Sequence, residues 1–217
     1  MKIVIQIVLW IVCIFLGYLI YQSVTGPIEF NEVKRERFAK VIAKLKDIRA
    51  AQEAYKTVNK RYAKDFPSLI KFIDTADFTI TQQRDSSYME YDETYRIDML
   101  KEVKLIDTLG TVSIKDSLFG QDERYQNLAD VPVGKEGAKF QMEANVINKS
   151  GYRAPVFEAK VEKNVVLYDQ PQTLLDKENT EMGVEEVDGN WIRVGSLSEV
   201  STSGNWPPIY DNRADQQ

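Results

Sequence analysis

From Ile3 to Tyr21 the chain reads IVIQIVLWIVCIFLGYLIY, nineteen residues with no charge and with Gln6 as the only strongly polar side chain. As a helix this run is about 28 Å long, close to the roughly 30 Å hydrocarbon core of a bilayer. A helix buried in a soluble core keeps a polar face, whereas this run is apolar all round. The expectation is a transmembrane anchor over residues 1–24, with the bilayer as its partner and with Tyr18 and Tyr21 at one membrane interface. A secretory signal has a shorter apolar core, about 7–15 residues, followed by small residues at a cleavage site. Here the longer run is followed by Gln22-Ser23-Val24-Thr25-Gly26, which reads as a retained tether. Cys13, the only cysteine, lies inside the run, which excludes a lipoprotein anchor and leaves the rest of the chain without a disulfide or a thiolate nucleophile.

Lys2 and the α-amine favour a cytoplasmic N-terminus, while Lys34, Arg35, Arg37 and Lys40 follow the span closely enough to pull the other way. The charges nearest the span decide the expectation. It is a single-pass protein of a bacterial inner membrane with its C-terminal domain in the periplasm.

Charge is divided unevenly behind the anchor. Residues 31–64 carry eleven Lys and Arg against four acids, a net +7, and residues 65–217 carry a net −12. One reading of the basic segment is the solvated face of an amphipathic helix; another is a surface for anionic headgroups or an acidic partner. An acidic head on a membrane tether argues against nucleic-acid binding.

Gly26-Pro27 is expected to break the anchor from a basic helical stalk over residues 25–64, with Asn31 as its N-cap and Asn59-Lys60-Arg61 as its end. Phe38, Val41, Leu45, Ile48 and Tyr55 recur by three and four residues with Gln52, and Ile42 and Ala51 lie beside them, so they form one stripe. That stripe packs either on the protein's own head or on a partner, a second copy in a homo-oligomer or another membrane subunit. Asp65 and Pro67 open a short helix with Leu69, Ile70, Phe72 and Ile73 inside it. Strands are expected at 78–81, 104–107 and 111–114, the last two around a turn at Gly110. A half-exposed hairpin pairs Phe140, Met142, Ala144 and Val146 with Phe157, Ala159 and Val161 across Asn148–Gly151, and short strands follow at 165–168 and 191–194. The tail from about 205 reads as loop running into disorder. The fold class is α+β: an N-terminal transmembrane helix, a helical stalk and a mainly antiparallel head over 65–217, with a subdivision near 137.

The chain contains no histidine, which removes His-containing triads, imidazole bases and His-ligated metals. Its eleven glycines form neither a phosphate-binding loop nor a dinucleotide fingerprint. Glu178, Glu181, Glu185, Glu186 and Asp188 form an acidic run without calcium-loop spacing, and Asp85-Ser86-Ser87 and Asp116-Ser117 offer hydroxyls without a base. No catalytic residue, cofactor or metal is expected. Trp191, Trp206 and Tyr210 form a candidate aromatic face for a sugar or peptide, or else pack in the core.

Ala50-Ala51-Gln52-Glu53-Ala54-Tyr55, then Arg61-Tyr62-Ala63 and Phe66-Pro67-Ser68-Leu69, resemble type IV pilins and type II secretion pseudopilins. The resemblance implies a membrane helix running into an amphipathic one, then a corner into an αβ head with an antiparallel sheet. It departs at the leader and at the Glu early in the hydrophobic helix, both absent here, so it does not imply prepilin processing. The layout also resembles the bitopic inner-membrane alignment proteins of the same machines, and the residues look like those of an uncharacterised family of bacterial membrane-anchored proteins. The function expected is a non-enzymatic subunit of an envelope-spanning secretion, pilus-like or motility assembly, acting as scaffold or adaptor. The alternative is a membrane-anchored periplasmic ligand-binding or sensing domain.

Overall fold

The computed structural model describes residues 2–92, 97–149, 151–180, 183 and 186–211. One helix, α1 (Lys2–Asn59), runs without interruption from the apolar segment through the whole basic segment. At 58 residues it is about 87 Å long. This corrects the break expected at Gly26-Pro27 and the N-cap expected at Asn31. Pro27 removes one backbone bond and crowds the preceding turn, yet stays inside the helix. The helix continues on both sides of it, through the apolar segment before and with packing from Phe30 onward after. The apolar segment is long and apolar enough to cross a membrane, and none of it is buried against the rest of the chain.

The residues expected to form a separate stalk are the central helix of the head. Phe38, Val41, Ile42, Leu45, Ile48 and Ala51 are each no more than 1% exposed, and they join one apolar core with residues as distant as Ile192 and Tyr210. Among the described residues one core cluster takes in side chains from both sides of residue 137, where a subdivision is expected. α1 ends at Lys60, whose left-handed φ of 58° lets its N–H donate to the Lys56 carbonyl at 2.8 Å. α2 (Phe66–Thr75) begins as read from the sequence: the Ser68 N–H donates to the Asp65 carboxylate at 2.8 Å, and Pro67 sits in the first turn, where its missing donor costs nothing.

Two sheets follow. β1 (Asp77–Asp92) and β2 (Ile97–Ser113) form a long antiparallel ribbon. Gly110 does not turn the chain here. It pairs with Ile80 at a register shift, after which Thr81 pairs with Thr108, and Leu109 is the extra residue of a bulge. Ile114, expected to end a strand, starts α3 (Ile114–Phe119) and is fully buried. The second sheet is β3 (Gln141–Lys149), β4 (Tyr152–Glu162) and β5 (Trp191–Gly195), antiparallel with β4 in the middle. Its β3–β4 hairpin forms where expected, with Met142 facing Ala159 and Ala144 facing Phe157. Gly195 has φ 78°, and a side chain there would run into the Phe157 carbonyl, so only glycine fits.

The strand expected at 165–168 is instead α4 (Lys163–Val166) and the turn after it, with Val166 and Leu167 buried. An unbroken apolar run carries no period, and a buried lysine at its start decides the matter. α5 (Gln172–Thr180) ends within the stretch read as acidic loop, so that Glu178 is helical. The tail is also ordered further than expected. Asn205 bonds the Asp188 and Trp191 carbonyls, and Trp206 and Tyr210 are buried; residues 212–217 lie outside the described residues.

Candidate functional site

The stripe on α1 resolves in favour of the protein's own head. Phe38, Val41, Leu45 and Ile48 are buried there, and half-buried Tyr55 stacks on Phe72 with ring centroids 4.7 Å apart. None of the first four is open to a second chain. The three C-terminal aromatics do not form one face either. Trp206 packs over Gly204, with its indole N–H donating to Asp211 at 3.1 Å, and Tyr210 is buried with its carbonyl accepting from Lys46 at 2.8 Å. Trp191 alone keeps an open side. It borders a hollow of about 200 Å³ with Glu158, Lys160, Asp188, Arg193 and Asn205. In that hollow the Glu158 carboxylate accepts from Lys160 at 2.7 Å and from Arg193 at 3.4 Å, while the Lys160 ammonium also stands 5.2 Å from the Trp191 ring centre. These groups are satisfied by one another.

The acidic run is likewise used internally. Glu178, expected in a solvated loop, has a side chain 1% exposed, and it joins two lysines. Lys163, fully buried at the start of α4, donates to the Glu178 carboxylate at 2.9 Å, to the Glu178 carbonyl at 3.2 Å and to the Val187 carbonyl at 2.6 Å, so its three protons are all placed. Lys34 of α1 donates to the other Glu178 oxygen at 2.7 Å and to Glu186 at 2.8 Å. Burial works against the Lys34 ammonium, but its bonds to and attraction from Glu178 and Glu186 outweigh that and hold its pKa above the usual lysine value. One turn further, Arg37 makes a two-pronged pair with Asp169 at 2.6 and 2.8 Å and also bonds the Val166 carbonyl. That guanidinium lowers the Asp169 carboxyl to about 2. Lys46 adds an ion pair to Asp211 at 3.1 Å. The acidic partner of the basic helix is thus the chain's own C-terminal half. Glu181 and Glu185 lie outside the described residues, and among the described residues no group of three or more His, Cys, Asp or Glu could hold a metal ion.

Lys163 was not singled out by the sequence reading, although a lysine opening the run Lys163-Asn-Val-Val-Leu167 is a cue that its ammonium finds a buried anion. Lys34 carries a similar cue, because it continues the Phe38–Val41–Leu45 stripe one turn toward the membrane. Gln52 gains a specific role. Fully buried, it donates to the Ala63 carbonyl and accepts from the Ala63 N–H, both at 2.9 Å, closing the corner between α1 and α2. Tyr62 beside it stacks on Phe157 at 4.6 Å. The segments 50–55 and 61–69 therefore have a local packing reason for their residues.

What remains open on the head is the β1–β2 ribbon. Most of its described residues are exposed, among them Tyr88, Met89, Tyr91, Leu100, Leu105 and Ile106, and α3 at its base is the element that packs most against it. The fold and its surfaces define a class: an α+β head built around the continuation of a long apolar helix, with a projecting two-stranded arm. No family model, no curated protein and no solved structure matches the chain.

Proposed function

We propose that this chain is a non-enzymatic, single-pass subunit of an envelope-spanning assembly in a bacterial inner membrane, with the head in the periplasm and a scaffold or adaptor role in secretion, pilus-like or motility machinery. The observation that carries the reading is the unbroken α1, one rigid element that is apolar at its start and the core of the head at its end. The first buried residue, Phe30, lies nine residues beyond Tyr21, about 13 Å along the helix. A head joined so closely, without a flexible linker, has its distance and tilt to the bilayer fixed by the helix. That suits a part whose task is to hold other parts in place. A freely tethered binding domain gains nothing from it.

A reporter fused to the C-terminus and active only outside the cytoplasm should be active. Purification through a C-terminal tag in mild detergent should bring down other membrane subunits. An inactive reporter with a stable fusion would overturn the orientation. Recovery without any other subunit across several detergents and expression levels would overturn the scaffold role.

A further inference from the structure

Between the bulge and the tip, β1 and β2 pair regularly over residues 81–92 and 97–108, an arm about 40 Å long. Among the described residues no strand pairs with the outer edge of either. Two strands alone in water are marginally stable, and an open edge is a template for another strand. Apolar side chains fall on both faces of the arm: Leu100 and Ile106 on one, Leu105 and Tyr88 on the other. A flat apolar partner could cover only one of these sets. A strand added along the edge extends both faces together.

The β2 edge is complementary to itself. A two-fold axis through Val103 sets residues 98–108 of one copy antiparallel to residues 108–98 of the next, all but one residue of the regular length of the strand. In that register Glu102 stands opposite Lys104 twice, Leu100 opposite Ile106 twice, and Val103 opposite Val103. Within each copy Lys104 already faces Asp85, and Leu100 already faces Met89. The joined face thus carries a charge row Asp85–Lys104–Glu102 and an apolar row Met89–Leu100–Ile106 across the new boundary. Moving the axis one residue either way puts Glu102 on Glu102 or Lys104 on Lys104, and like charges directly opposite are unfavourable. β1, with fewer apolar residues over its regular length, offers no match of this extent.

We propose that two copies of this chain join through β2, edge to edge, making one four-stranded antiparallel sheet with its two-fold axis at Val103. The partner is a second copy of the chain. The contact uses none of the buried α1 stripe.

The test uses the full chain in detergent micelles with Cys13→Ala as background. Val103→Cys should form disulfide-linked dimers under mild oxidation at least several-fold faster than Glu102→Cys alone. An equal mixture of Glu102→Cys and Lys104→Cys chains should crosslink readily as the mixed pair. Glu102→Lys should weaken dimerisation by roughly tenfold, since two opposite-charge pairs become like-charge pairs. Glu102→Lys with Lys104→Glu should restore it when Asp85, which faces residue 104 within each copy, is changed as well, by Asp85→Ser. An unchanged urea midpoint for the head would show that the single variant is folded. Equal crosslinking of Glu102→Cys and Val103→Cys, a compensated triple variant as weak as the single one, or a monomer at every concentration, as for an arm that takes up a strand of a different protein, would each overturn the proposal.

Discussion

Glu178→Gln probes how the C-terminal half is fastened to the helix. The carboxylate is 1% exposed and is shared by Lys34 and Lys163, whose side chains are 7% and 0% exposed. The amide keeps the volume and one acceptor oxygen but no charge, so two buried ammonium groups lose their common counter-charge. Lys163 is left with two carbonyls, and Lys34 with Glu186, which is about one-third exposed. Removing one partner of a buried pair costs about 3–5 kcal/mol, and the retained acceptor places this case near 3. Against a urea slope of about 2 kcal/mol per molar, the unfolding midpoint falls by about 1.5 M. The assay is urea titration of the full chain in micelles, followed by the fluorescence of buried Trp206, because uncharged urea does not screen the pair. A triple change of Lys34→Met, Lys163→Met and Glu178→Leu removes the charges together and should recover most of the loss. The cluster also has a pH signature. The Lys34 pKa is raised above 10.5 in the fold, so its contribution is complete below that value and is lost as pH rises through the folded value. A midpoint change under about 0.3 M for Glu178→Gln, with a cooperative transition, would refute the buried shared carboxylate.

Gln52→Ala leaves the Ala63 N–H and carbonyl buried without partners and should lower stability by about 2–4 kcal/mol, read as a lower thermal midpoint of the detergent-solubilised protein. Asp47→Asn should raise stability: burial pushes the Asp47 carboxyl up more than Arg124 at 3.4 Å pulls it down, so the charge is held at a cost. The matching thermal melt should rise by about 1–4 °C. Asp169→Asn tests the exposed fork to Arg37. With the folded carboxyl at about 2, its contribution of at most about 1 kcal/mol is present above the usual carboxylate pKa and is lost as pH falls toward 2. The stability difference between the parent and Asp169→Asn should therefore be flat from pH 5 to 8 and close by pH 2 in urea titrations at each pH.

The elements legible beforehand are those with a strong local cause. Asp65 and Pro67 announce a helix start whatever surrounds them, and Phe157, Ala159 and Val161 alternate because β4 has one dry face. The β1–β2 ribbon is legible only in pieces, at 78–81, 104–107 and 111–113, because its outer part has no dry face: Met89 and Tyr88 point to opposite sides and both are exposed, so period-two patterning has nothing to select its full length. Gly110 was read as a turn, since a glycine at a bulge and a glycine at a reversal look alike without the partner strand. Gly26-Pro27 was read as a break, because its local cost of about 3 kcal/mol is visible, whereas the packing of Phe30, Lys34 and Phe38 that outweighs it is not. Of the candidate residues, the α1 stripe was placed on one face correctly, and only the fold could choose its own head over a partner. The salt-bridge cluster depends on contacts 144 residues apart, which no local pattern encodes.

That cluster also bears on the orientation proposed for the chain. Basic residues hold a segment on the cytoplasmic side when they are free to meet an anionic leaflet. Of the four that follow the apolar segment, Lys34 is buried between Glu178 and Glu186, Arg37 is forked to Asp169, and Lys40 is paired to Glu36 at 2.7 Å. Only Arg35 in that group has no acidic partner among the described residues. Two of the four cations that compete with Lys2 are thus paired with the C-terminal half once the chain is folded, and a third with Glu36 of the same helix. Lys34 and Arg37, bound inside the domain, contribute little pull toward a charged leaflet, which shifts the charge balance toward Lys2. This supports a cytoplasmic N-terminus and a head on the far side of the membrane, with the β1–β2 arm free to meet another copy there.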